Sequence, residues 1–132
     1  MVPTIQPGEN VTVEYAAYAV ATPKRWDVVA FRPPGRSNEV WLMRIVALAG
    51  ESVAFAKDGV TVNSQPLALP PHVTNVTYLS LDRMGQIRAT GSPYVVPAGS
   101  FFVLGDNSAT ANDSRFWGAV HRTNIVGRVK DK

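Results

Sequence analysis

The residues whose type and spacing most suggest chemistry are two aspartates near the C-terminal end, Asp106 and Asp113. Read alone, they could form an acid–base pair of carboxylates or offer oxygen ligands to a hard cation. No histidine and no third carboxylate lies near them in sequence, which weakens both readings. His72 and His121 sit in unpatterned or surface-like stretches and read as ordinary surface histidines, not as ligands or bases. The chain has no cysteine, which excludes disulfides, thiolate metal sites and a cysteine nucleophile together. These residues therefore imply no metal and no cofactor.

The elements that would position such residues are strands. A chain of 132 residues fits one domain, residues 1–132, with no room for a second full-sized core. Ten prolines and ten glycines imply many turns, which suits short strands better than long helices. Val11 to Tyr18 alternates like a half-buried strand, and Asp27 to Arg32 is a short apolar run stopped by Pro33 and Pro34. Val40 to Gly50 is the longest apolar segment and predicts a buried strand. Ser52 to Ala56 and Val60 to Asn63 flank Lys57-Asp58-Gly59, a hairpin signal, because an Asp-Gly pair tolerates the positive φ angles of tight turns. Ser100 to Gly105 and Ile125 to Lys130 predict two more strands. The stretch 70–91 is the least patterned and reads as a mobile loop insertion carrying one strand, Val76 to Leu81.

Charge excludes some partners. The net charge of +3 is carried by scattered basic residues from Lys24 to Lys132, not by a dense block. A nucleic-acid binder would cluster them on one face with interleaved aromatics, so no nucleic acid is expected. Mild attraction to an anionic membrane surface stays open. No run approaches the length of about 20 apolar residues that crosses a bilayer, and no export signal is visible, so any anchor is expected outside these residues. The three Asn-x-Ser/Thr patterns, at Asn10, Asn75 and Asn112, are short enough to arise by chance.

Four stretches, in order and spanning the chain, carry a resemblance. They are Met1-Val2-Pro3-Thr4-Ile5 with Pro7-Gly8-Glu9, then Arg25-Trp26-Asp27-Val28-Val29-Ala30-Phe31, then Met43-Arg44-Ile45-Val46-Ala47-Leu48-Ala49-Gly50-Glu51. The last is Gly105-Asp106-Asn107-Ser108 with Asp113-Ser114-Arg115-Phe116-Trp117-Gly118. Each is similar to a sequence box of bacterial signal peptidase I, the serine endopeptidase of peptidase family S26 that removes signal peptides from exported proteins. The resemblance implies an all-β, antiparallel coiled sheet, a partly open barrel of the type shared with LexA-like repressors. Its expected location is the outer face of the bacterial cytoplasmic membrane.

That family cuts with a serine and a lysine. A serine hydroxyl needs a base to become a nucleophile, and a lysine amine serves only where burial lowers its pKa toward neutrality. By the resemblance, the serine belongs immediately before Met1, where this sequence does not reach, and Met43 holds the lysine position. A thioether takes up no proton at useful pH. Ala111 holds the position where the family often has a supporting serine. Ile5, Trp41 and Leu42 are expected to line the small substrate pockets, or to be plain core residues. Arg44, Asp106, Asp113 and Arg115 are expected to form structural carboxylate–guanidinium pairs around the site.

Three readings follow. The chain is a pseudoenzyme that binds a signal peptide or other extended precursor, or that assists an active peptidase. Alternatively it is a truncated, substituted fragment of an active membrane-bound signal peptidase. Or it is an interaction module docking a partner strand or a membrane surface.

Overall fold

The computed structural model describes residues 1–56, 59–78 and 93–132. Within them the chain forms β1 (Val13–Glu14), β2 (Val28–Phe31), β3 (Trp41–Ala47), β4 (Ser52–Ala56), β5 (Gly59–Val62) and β6 (Gln65–Pro66). It continues through β7 (Tyr94–Val95), β8 (Ser100–Leu104), a single helical turn α1 (Ser114–Trp117), β9 (Val120–His121), a 3-10 turn at Arg122–Asn124, and β10 (Ile125–Val129). Every strand pairing is antiparallel. One sheet runs β1-β10-β2-β3-β8-β9 and the other β6-β5-β4-β7, so the fold is all-β with two open sheets.

β3 is the hinge of the design. It is the longest strand among the described residues, and its pleat sends alternate side chains to opposite faces. Met43 and Ile45 join Val29, Phe31, Phe101, Val103 and Val120 in one apolar cluster, with Trp41 packed at its margin. On the other face Leu42 packs against Ile5, Val28 and Val129. Val46, with Ala47, Phe102 and Leu104, joins Val53, Val60, Val62, Val73, Val76, Tyr78 and Val96, and this cluster binds the two sheets together.

Two expectations shift. Only Val13 and Glu14 of the predicted strand Val11 to Tyr18 pair, with Val129 and Arg128. The alanine-rich remainder closes turns, with Ala17 N–H donating to Glu14 O and Ala19 N–H to Ala16 O. Small side chains there bury little surface, so local hydrogen bonds win over sheet extension. Val76 to Tyr78 is irregular rather than strand, and its two buried ends point into the core. Residues 79–81 of that predicted strand lie outside the described residues, as do most of the 70–91 stretch and Lys57 and Asp58 of the hairpin turn.

Position 26 stands out in the backbone. Trp26 has φ of 77°, in the left-handed region where a Cβ is crowded. Its N–H donates to Ile45 O at 2.7 Å and its carbonyl accepts from Arg44 at 2.9 Å, so the two neighbours hold it there. Glycine would adopt that conformation without strain.

Candidate functional site

Met43 lies in mid-strand, paired with Val29 across β2 and 8% exposed. Its cluster is an apolar sheath of the kind that would depress a lysine pKa, yet the side chain inside it titrates nowhere. Tyr18 packs at the margin of the same cluster, but its hydroxyl donates to Asp27 at 2.8 Å. Burial, followed by that carboxylate, pushes the Tyr18 hydroxyl far up, which keeps it a proton donor and not a base.

The first residue of the sequence comes to the other side of this region. Met1 packs against the Ile5 cluster, and its sulfur accepts the Asp106 N–H at 3.4 Å. Ala111 abuts Gly105 so closely that a Cβ built on Gly105 would stand 2.6 Å from the Ala111 Cβ. Met1 and Ala111 thus both flank the Gly105-Asp106 step at the end of β8.

Beneath lies a buried charge network. Arg44 is 1% exposed, and its Nε and Nη2 donate to the Asp106 carboxylate at 3.1 and 2.7 Å. Its Nη1 reaches the carbonyls of Trp26 and Lys132, each at 2.9 Å. Tyr78 donates to Asp106 Oδ1 at 2.5 Å, and the Thr4 hydroxyl makes a short bond to Oδ2. Burial alone would raise the Asp106 pKa, but the donors Arg44, Thr4 and Tyr78 outweigh it and hold the carboxyl below its ordinary value. The Tyr78 hydroxyl is pushed up, by burial first and then by Asp106.

The second pair is separate. Arg115 grips Asp113 through Nε at 2.8 Å and Nη2 at 3.0 Å, a fork matched to a carboxylate. Asp113 also accepts the N–H groups of Gly105 and Arg115, which caps α1, while Arg115 donates to Ser108 O at 2.7 Å. Each aspartate is thus engaged by its own guanidinium. Among the described residues no cluster of three or more His, Cys, Asp and Glu side chains forms. His72 is exposed, and His121, also exposed, accepts the Thr123 N–H to cap the 3-10 turn.

Ile5, Trp41 and Leu42 are not brought into one group. Ile5 and Leu42 share a cluster, whereas Trp41, adjacent in the strand, projects to the opposite face with Met43. β2 covers one edge of β3 from Trp41 to Arg44, but β8 covers the other only from Arg44 to Ala47. Among the described residues, Trp41 to Met43 therefore has one edge without a pairing strand. Reading the sequence singled out neither Thr4 nor Tyr78 as a partner of Asp106. Thr4 stood inside a recognised box, while Tyr78 lies in an unpatterned stretch where no spacing points to it.

The two carboxylate–guanidinium locks and the open-edged strand thus sit on two antiparallel open sheets. The profile described as signal peptidase, peptidase S26, matches residues 1–131, and the chain belongs to that family. It is 35% identical to a signal peptidase I of Leptolyngbya laminosa over 98% of this chain and 62% of that protein. It is 31% identical to signal peptidase I V of Bacillus subtilis (strain 168), over 99% of this chain and 79% of that one. A solved structure of a signal peptidase I from Enterococcus faecalis V583 superposes with a TM-score of 0.58 at 26% identity, covering 83% of this chain and 97% of that one. The chain thus spans about three fifths of the Leptolyngbya relative's length.

Proposed function

We propose that this signal peptidase I-like domain is a pseudoenzyme that binds an extended peptide, such as the signal segment of an exported precursor, without cutting it. The observation that carries the reading is Met43: a buried thioether fills the position of the family's general base, inside a sheath of apolar side chains. A dyad acts as a unit, so loss of its base abolishes nearly all turnover. Binding is a separate matter. The open edge of β3 from Trp41 to Met43 offers unpaired main-chain groups to an incoming strand, the usual mode of β-augmentation. Arg44 and Asp106 brace the strand next to that edge, Asp113 and Arg115 brace the loop after β8, and all four act as structural pairs with no part in bond breaking. The domain works at the outer face of the cytoplasmic membrane, where such precursors emerge.

The test builds a serine–lysine dyad into the chain. A serine is placed directly before Met1, Met43→Lys is made, and cleavage of an Ala-x-Ala peptide is assayed in detergent, for each change alone and for both. Cleavage by the double variant only, with binding but no turnover by the original chain, supports the pseudoenzyme. Turnover by the original chain refutes it. A second reading, docking to a membrane surface, is favoured by the exposed Tyr15 (72%) and Val20 (96%) on the loop after β1. Co-sedimentation with anionic vesicles, lost on Tyr15→Ser with Val20→Ser, would support it.

A further inference from the structure

The loop between β2 and β3 is built to hold one side chain. Arg36 N–H donates to Pro33 O and Glu39 N–H to Arg36 O, so two successive turns bring both side chains over the start of β3. Arg32 ties the loop down by donating to Ser37 O at 3.2 Å. There the Trp41 indole Nε1 donates to Glu39 Oε2 at 3.1 Å, and the Arg36 guanidinium lies 5.8 Å from the Trp41 ring centroid. Arg36 and Glu39 also pair with each other, at 3.7 Å. One face of the indole is thus covered by a cation, its N–H is spent on a carboxylate, and its body packs against the Met43 cluster.

We propose that Arg36 and Glu39 latch Trp41 as a steric gate on the open edge of β3, making them the positioning residues that set which peptides this domain accepts. The inference rests on the reading that a peptide adds along that edge. A strand added there would place one side chain beside Trp41 and another, two residues on, beside Met43, both on the same face. With the indole held, the peptide residue beside Trp41 must be small: glycine, alanine or serine. Freed of Glu39 and Arg36, the indole turns about its χ angles and admits a larger side chain. Selectivity for size at that peptide position is therefore a property of an exposed ion pair outside the groove, not of the groove wall alone.

Fluorescence anisotropy with a labelled Ala-x-Ala peptide, and with peptides carrying leucine in place of the first or the second alanine, tests this. The original chain is expected to prefer alanine over leucine at one of the two positions by ~10-fold or more, the scale on which pockets discriminate methylene groups. In Glu39→Ala and in Arg36→Ala that ratio falls toward unity through a gain in leucine-peptide binding, and Trp41→Ala removes it. Glu39→Gln keeps an acceptor for the indole N–H and retains most of the preference. A merely structural role would weaken all peptides alike and leave the ratio standing. An unchanged ratio with intact binding overturns the latch but not the binding reading; no binding of any peptide by any folded variant overturns both.

Discussion

Asp106 shows how one residue decides stability without entering chemistry. Its carboxylate is buried, and Arg44, Tyr78 and Thr4 all donate to it. Asp106→Ala would strand a buried guanidinium, a loss of about 3–5 kcal/mol by the usual cost of breaking a buried pair. Urea midpoints at neutral pH check it. The pH dependence has a fixed sign. The folded carboxyl is held below its unfolded value, so its contribution is complete above that unfolded value, near 3.8, and fades as pH falls through the lower folded one. Midpoints of the original chain are expected to drop along this acid limb, and the drop should be shallower in Asp106→Ala. Equal acid limbs in the two proteins would place the stabilising charge elsewhere.

At the scale of elements, the step from β8 into the α1 loop is the tightest join. Gly105 is there because Ala111 leaves no room, with 2.6 Å between a built Cβ and the Ala111 Cβ. Its N–H is held by Asp113, which also caps α1, so the loop cannot shift to make space. Gly105→Ala is expected to cost about 1–3 kcal/mol through overpacking. Adding Ala111→Gly should recover part of it, and a double-mutant cycle measured by thermal unfolding reads the coupling directly. Strict additivity would mean the two residues do not meet. The same contact bears on the family's supporting serine, since a hydroxyl at position 111 would have to stand against this glycine.

For the whole molecule, the two open sheets act as one body because they share a core. Phe102, fully buried on β8, packs within 5.7 Å of the Tyr94 ring and 6.4 Å of the Phe55 ring, both from the smaller sheet. Phe102→Ala is expected to cost about 3–5 kcal/mol, a large part of the stability of any domain this size. Unfolding should remain a single transition, with far-ultraviolet circular dichroism and tryptophan fluorescence coinciding. Separate transitions would mean that each sheet folds on its own cluster.

Strand content, the longest buried strand, the hairpin arms and the family boxes were all legible in the chain itself. Alternation, apolar runs and turn residues are local signals, and β2, β3, β4, β5, β8 and β10 formed where those signals lay. So was the chemical identity of position 43, because a methionine is a methionine in any fold. Short strands β6, β7 and β9 were not legible, since two-residue pairings depend on a neighbour and not on a pattern. Nor was the partition of Ile5 and Leu42 from Trp41, which follows from the pleat of β3 only once its packing faces exist. The family resemblance raised the expectation that Arg44, Asp106, Asp113 and Arg115 form structural pairs. Only the tertiary structure decided who grips whom and drew Thr4 and Tyr78 to the same carboxylate, because a buried charge collects donors by distance in space, whatever their separation along the chain.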